Sequence, residues 1–325
     1  MTWTYEQSGV SIDGGNAWVE AIKGLVGSER GGSVVSGIGG FTGLYRLPGG
    51  GLLAACCDGV GTKLEIARAA GKLRGLGQDL VAMNVNDLVT CGARPLFFLD
   101  YLACGRLEAP RLSPVLAGIV EACRSVGAVL LGGETAEMPG VYPPEGFDLA
   151  GFAVGLVEEK DLIDGSCVAE GDLLLGLASS GLHSNGFSLV RKALLEGGNR
   201  RLDEIVDGRG LDDLLLEPTR LYVRQALAAA ATGKVKAMAH ITGGGLEENV
   251  SRVLGGLRPA VDWGGWSRPS VYSLLAPSVD ETEMRRVFNV GVGFVFVVAP
   301  RDRQAVEEAL TAEGEKPFLV GEIRR

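Results

Sequence analysis

An alternation of hydrophobic periods runs through nearly the whole chain and restricts its fold more than any other feature. Apolar runs rich in strand-forming residues occupy 52–57, 95–102, 128–132, 149–158, 172–178, 235–241, 294–299 and 317–323. Between them, apolar residues recur at helical spacing over 77–91, 111–126, 185–196, 218–231, 245–254 and 302–313. Repeated switching between these two patterns predicts helices layered on sheets, an α/β fold. Helix starts are marked by Ser184 or Asn185 ahead of "GFSLVRKALLE" and by Pro218 ahead of "TRLYVRQALAAAA". A chain of 325 residues is longer than the roughly 250 that one hydrophobic core sustains. The polar, turn-rich stretch "VEEKDLIDGSCVAEGD" (157–172) divides it into predicted domains 1–165 and 166–325.

Charge and composition exclude several function classes. A net charge of −9, from 31 basic and 40 acidic residues, argues against nucleic-acid binding. Any polyanionic substrate must therefore be held by local donors, because the field of the whole protein repels it. No apolar run approaches the roughly 18 residues of a membrane span, and the N-terminus lacks a secretory pattern. The 6 cysteines contain no C-x-x-C pair, which reads as reduced thiols in a cytoplasmic protein. The 50 glycines are about twice the usual ~7%. They cluster between apolar runs, as expected where turns are tight or backbone comes close to a ligand.

The stretch "DGVGTK" follows an apolar run and precedes a helical pattern. It is too short for a Walker A loop, its threonine and lysine are in the reverse order, and the Rossmann glycine pattern is absent. Backbone N–H groups around Gly59, Val60, Gly61 and Thr62, with the cation of Lys63, still suit a phosphate. Asp58 would repel that phosphate unless Mg²⁺ lies between them; the plain alternative is a strand–helix turn capped by Asp58. Asn84 and Asp87 sit three apart on one helix face, as ligands or as hydrogen-bonded core residues. Glu134 and Glu137 follow Gly132 and Gly133 at an expected strand end. Asp58, Asp87 and Glu134 thus offer oxygen ligands for Mg²⁺ from separate elements. The glycine cluster containing Gly39, Gly40 and Phe41 suits either a hairpin turn or a flap over a nucleotide. Lys23 lies on a helix-like segment and on its own reads as a solvated side chain.

Both histidines lie at glycine-flanked strand ends beside helix starts, where a ligand contact or a buried structural role is physically sensible. His183 is grouped with Ser180, Ser184 and Asn185, and His240 precedes the loop Thr242, Gly243, Gly244, Gly245. No G-x-S-x-G elbow makes Ser184 a hydrolase nucleophile, and no spacing suits zinc.

Taken in order, "GIGGFTGL", "DGVGTK", "GQDLVAMNVNDL", "GARPLFFLDY", "GGETAEMPGVY", "GLHSNGFSLVRK", "AHITGGGLEEN" and "FNVGVG" resemble the aminoimidazole ribonucleotide synthetase family of purine biosynthesis. The likeness runs from residue 5 to about residue 324, with departures at Ser8, Ser11, Gly15, Val290 and Phe294. The resemblance implies two α/β domains and a homodimer whose N-terminal sheets pair into a barrel-like core. It implies a ligase that uses ATP to cyclise formylglycinamidine ribonucleotide to aminoimidazole ribonucleotide, releasing ADP and phosphate. It further implies that Asp58 to Lys63, Lys23 and Asp87 serve the Mg–ATP site. Lys63, His183 and Asn185 are expected to act in the chemistry. His183, Ser184, Asn185 and the loop Thr242 to Gly245 are expected on the substrate side. Other readings are a different ATP-dependent kinase or synthetase of the same superfamily, or a nucleotide-binding regulatory protein.

Overall fold

The computed structural model describes residues 2–26 and 32–325. Its first sheet has the strands β1 (Val34–Ser36), β2 (Gly43–Arg46), β3 (Leu52–Gly59), β4 (Arg94–Cys104), β5 (Val129–Glu137) and β6 (Phe147–Val157). They lie in the order β1-β2-β3-β6-β4-β5, with β4 and β5 parallel and the other pairs antiparallel. Helices α1 (Ile12–Val26), α2 (Lys63–Ala70), α3 (Arg74–Val89) and α4 (Ala109–Ser125) belong to this half.

The second half begins with β7 (Leu173–Ala178) and includes a small hairpin, β8 (Ile205–Val206) with β9 (Arg209–Gly210). With β10 (Val235–His240), β11 (Arg258–Val261), β12 (Val292–Val298) and β13 (Phe318–Arg324), β7 forms an antiparallel sheet of order β10-β12-β7-β13-β11. Its helices are α5 (Phe187–Val190), α6 (Leu211–Leu215), α7 (Val223–Ala231), α8 (Gly245–Ser251), α9 (Val271–Leu275), α10 (Glu281–Val287) and α11 (Arg303–Ala312). The sequence of β12, "VGFVFVV", is buried at every position, which explains its unbroken apolar run.

Helix α3 organises the molecule. It packs against β3, β4 and β6 on one side and against α7 and β10 on another, so most of its surface is interior. A helix covered all round carries no single apolar stripe, and buried polar side chains on it must find partners. Its approach to α4 is close because both helices present glycine. A Cβ on Gly77 would lie 2.3 Å from the Val115 carbonyl oxygen, and one on Gly118 would lie 2.3 Å from that of Arg74.

Three expectations about elements are corrected. The strand placed at 128–132 continues through Gly132 and Gly133 to Glu137, because it pairs with β4 along that whole length. The helix placed at 218–231 begins only at Val223. Residues 219–222 are kept out of the helix instead, since the Thr219 N–H donates to Asp79 Oδ1 at 2.7 Å and the Tyr222 N–H to Asn86 Oδ1 at 2.9 Å. The helix placed at 185–196 starts at Phe187 and passes into a π-helical turn over Arg191–Glu196.

Candidate functional site

Two groups of polar side chains meet where the halves of the chain touch. The first lies at the ends of β3 and β10. Asp58 is next to last in β3, and its Oδ1 accepts the Gly59 N–H at 2.7 Å. Asn84 of α3 donates to the Asp58 carbonyl at 3.2 Å, and Asp87, one turn further, accepts from His240 Nδ1 at 2.8 Å. Thr42, just after Phe41, donates its hydroxyl to the Asp87 carbonyl at 2.9 Å. Burial, then the negative charge of Asp87, raises the Asp58 carboxyl to about 6, against the pull of the Gly59 N–H and His240. A carboxylate whose ionisation is resisted by burial and by a neighbouring carboxylate fits a hard divalent cation, which would relieve both. Among the described residues no group of three or more His, Cys, Asp and Glu side chains is placed to hold a metal.

Glu134 does not join Asp58 and Asp87. In the sheet register Glu134 pairs with Tyr101, Tyr101 with Ala150, and Ala150 with Gly59. Three strand spacings of about 4.8 Å separate it from the end of β3, beyond the reach of one shared ion within the chain.

The second group belongs to the loop that follows β7. His183 is fully buried, and its backbone takes the left-handed conformation, φ +61°, that side chains other than glycine seldom adopt. Its Nε2 accepts the Ser180 N–H at 3.2 Å, while Nδ1 has no partner among the described residues. Burial, followed by the charges of His240, Lys63 and Arg220, pushes its pKa well below the ordinary 6.5, so the ring is neutral. The Ser184 hydroxyl meets that of Thr219 at 2.9 Å, and Asn185 Nδ2 is buried without a partner among the described residues. The ring centroids of His183 and His240 are 6.5 Å apart, which joins the two groups into one site. Gly293 makes room for this, since a Cβ there would lie 1.9 Å from the Tyr222 hydroxyl and 2.8 Å from His183 Cε1.

The remaining expected residues divide. Lys23 is paired with Glu20 at 2.7 Å and lies against Gly39, where a Cβ would come within 2.8 Å of Lys23 Cε. Gly40 follows, and Phe41 is buried against the second sheet with the Arg252 guanidinium over its ring at 5.5 Å. Val60 is buried in the core, so only its backbone is available to a ligand. Thr62 spends its hydroxyl on Ser188 at 3.0 Å, and Gly61 turns the chain into α2 with φ +70°.

The loop Thr242 to Gly245 is closed on itself: Asn249 Nδ2 donates to the carbonyls of Thr242, Gly243 and Gly245. Glu248 lies against Gly244, which sets a negative charge beside the loop expected on the substrate side. Gly243 does approach Asn185, whose Oδ1 is 3.4 Å from the position of a Cβ there.

Lys63 is the largest correction. Its side chain has no exposure, and its ammonium donates to Asp79 Oδ1 at 2.9 Å, the His183 carbonyl at 3.0 Å and the Glu217 carbonyl at 2.9 Å. With all three protons taken by the protein it has none left for a nucleotide phosphate. Asp79, Asn86, Thr219 and Tyr222, absent from the sequence-based site, tie these loops together. Asn86 was adjacent to a chosen residue, but Thr219 and Tyr222 were hidden inside an expected helix.

Residues 39–157 match the AIR synthase related protein N-terminal domain, and residues 169–325 match the corresponding C-terminal domain. The chain belongs to the AIR synthase related family. Within it, a phosphoribosylformylglycinamidine cyclo-ligase of Myxococcus xanthus (strain DK1622) is 49% identical over 332 residues, covering 99% of this chain and 96% of that protein. One of Burkholderia cenocepacia (strain HI2424) is 48% identical over 327 residues, covering 99% and 93%.

Solved structures share the fold. They include tt0281 of Thermus thermophilus, with TM-score 0.69 and 23% identity over 95% of this chain and 93% of that one. AaThiL, solved as a complex with AMPPCP and TMP, gives TM-score 0.68 at 15% identity over 95% and 90%.

Proposed function

We propose that this chain is the ligase that closes formylglycinamidine ribonucleotide to aminoimidazole ribonucleotide, consuming ATP and releasing ADP and phosphate. Near-full-length identity to relatives named for that reaction supports the reading. The observation that carries it structurally is the meeting of a carboxylate pair, Asp58 and Asp87, with the His183–Ser184–Asn185 loop through His240.

The substrate's formamide oxygen is a poor leaving group. Transfer of the γ-phosphoryl to it breaks the β–γ bridge of ATP and gives an O-phosphorylated imidate and ADP. The amidine nitrogen then bonds to that carbon, the C–O bond breaks, phosphate leaves, and a proton is lost from nitrogen. Phosphoryl transfer needs alignment and charge neutralisation more than a covalent protein partner. Asp58 and Asp87 would hold Mg²⁺, which would supply that neutralisation. Backbone N–H groups of Val60, Gly61 and Thr62 cradle phosphate oxygens, Gly59 spends its own on Asp58, and Lys23, Gly39, Gly40 and Phe41 lie beside the nucleotide. His183 and Asn185 donate hydrogen bonds to the substrate, and Ser184 keeps the loop on Thr219. The loop Thr242 to Gly245 serves as the wall next to Asn185.

Domains 1–165 and 166–325, a homodimer and a cytoplasmic setting belong to the same reading. The passage between β6 and β7 separates the two sheets and supports the domain division. Leu96, Tyr101, Val129, Leu131, Phe152 and Leu156 are exposed on strands of the first sheet, an apolar face that a second copy would cover. No helix among the described residues is long and apolar enough to cross a membrane. The direct test is ADP release by the purified chain with and without formylglycinamidine ribonucleotide. Release that ignores that substrate would refute the reading.

A further inference from the structure

A buried ion pair is a costly way to stabilise a fold, because two charges must leave water, and an apolar pair of similar volume often does as well. Lys63 and Asp79 both have fully buried side chains. Their partners show what the pair achieves. Asp79 Oδ1 takes the Lys63 ammonium at 2.9 Å, the Thr219 N–H at 2.7 Å and the Thr219 hydroxyl at 2.7 Å. Lys63 also holds the carbonyl of His183, the residue whose backbone is in the left-handed region. Such backbone persists where surrounding bonds over-determine it, and here an ammonium does so. The pair therefore links the start of α2, the interior of α3, the loop after β7 and the segment before α7.

The ring of His183 is fixed as well. A backbone N–H can only donate, so the bond from Ser180 N–H requires Nε2 to be the bare nitrogen. The neutral ring then carries its proton on Nδ1, the atom without a protein partner among the described residues. An imidazole in this tautomer donates a hydrogen bond through Nδ1 and has its basic nitrogen already occupied. The same reasoning fixes His240. Tyr222 N–H donates to Asn86 Oδ1, so Asn86 Nδ2 faces His240 Nε2 at 3.4 Å, and the His240 proton lies on Nδ1 toward Asp87.

We propose that Lys63 and Asp79 are a positioning pair that holds His183 as a neutral Nδ1–H donor to a substrate oxygen. The proposal rests on the reading that the loop His183 to Asn185 faces the substrate. It differs from a base role for His183 and from a phosphate-binding role for Lys63.

The chain has only 2 histidines, so histidine-selective ¹⁵N labelling gives one ring signal pair for each. In the unliganded protein His183 should show Nδ1 protonated and Nε2 bare; a protonated Nε2 would overturn the proposal. The kinetic test is a cycle with Lys63→Met/Asp79→Asn, His183→Ala and the triple variant. The double variant removes both charges while Asn keeps an acceptor for Thr219. Each arm should lose about 10²-fold in kcat, the size of removing one preorganised donor. The triple variant should lose no more than His183→Ala alone, because coupled residues are not additive. Losses that multiply would overturn the proposal. So would a large fall in affinity of the Lys63→Met/Asp79→Asn protein for Mg·ADP by calorimetry, since that would place Lys63 at the phosphates. If the wild-type chain made no product from formylglycinamidine ribonucleotide, the functional reading would fail, and the ¹⁵N signals would still decide the state of His183.

Discussion

Asp79 and Asp58 are both buried or nearly so and both face α3 or sit on it, yet their surroundings are opposite. Asp79 is matched by a cation from the chain, Lys63, and Thr219 donates twice to the same oxygen. Asp58 faces Asp87, and its ionisation is resisted by both burial and charge. A centre whose cation is a side chain has its charge matched on folding and serves to hold other groups in place, even though Asp79 Oδ2 is left without a partner among the described residues. A centre with paired carboxylates and no such side chain is prepared for a cation from outside. The difference separates scaffolding from ligand binding more reliably than acidic character does.

The largest effect should come from breaking the charge-matched centre. Asp79→Asn leaves the Lys63 ammonium buried without its counter-charge, and denaturant unfolding should show a loss of about 3–5 kcal/mol. Asp58→Asn should instead leave stability near wild type and lower kcat by about 10²–10³-fold, with the magnesium titration moved to higher concentration. Unchanged turnover and unchanged metal dependence in Asp58→Asn would remove the distinction between the centres. Next in size is the α3–α4 crossing that places both carboxylates of α3. Gly77→Ala forces a methyl group against the α4 backbone, at a cost of about 1–3 kcal/mol in unfolding free energy.

The smallest effect concerns pH. His183 is held neutral in the folded chain, with its pKa well below the 6.5 of an unfolded histidine. Below pH 6.5 the unfolded chain therefore binds more protons, and stability falls as pH falls, by at most about 1.4 kcal/mol per unit. His183→Asn should flatten that slope in unfolding curves taken at pH 7 and pH 5.5.

Much of the fold was legible because period and burial coincide. Apolar runs at 52–57, 172–178 and 294–299 correspond to β3, β7 and β12, whose hydrophobic residues face packed neighbours. The mostly antiparallel pairing was not legible. Strand order depends on contacts such as those of β3 and β4 with β6, which are distant in sequence. Asp58 and His183 could be chosen from the sequence because a carboxylate or histidine near glycine at an element end has few structural reasons to be there, and Asp87 because with Asn84 it interrupts the apolar face of a helix. Thr219 and Tyr222 could not, since "EPTRLYVRQALAAAA" has helical spacing and side chains distant in sequence, among them Asp79 and Asn86, keep its first part out of the helix.

From local order alone came the alternation of strands and helices, the acidic start of the phosphate-like loop and the histidine-bearing loop after β7. Those are matters of neighbouring residues, which set period, turn and charge along the chain. Whether a given charge is available was decided only in three dimensions. Lys63 and Asp58 stand five positions apart in one short loop, yet the lysine is enclosed by acceptors from α3 and the second half while the aspartate meets another aspartate. Ionic and hydrogen-bonding partners are found through space, and spacing along the chain does not specify them.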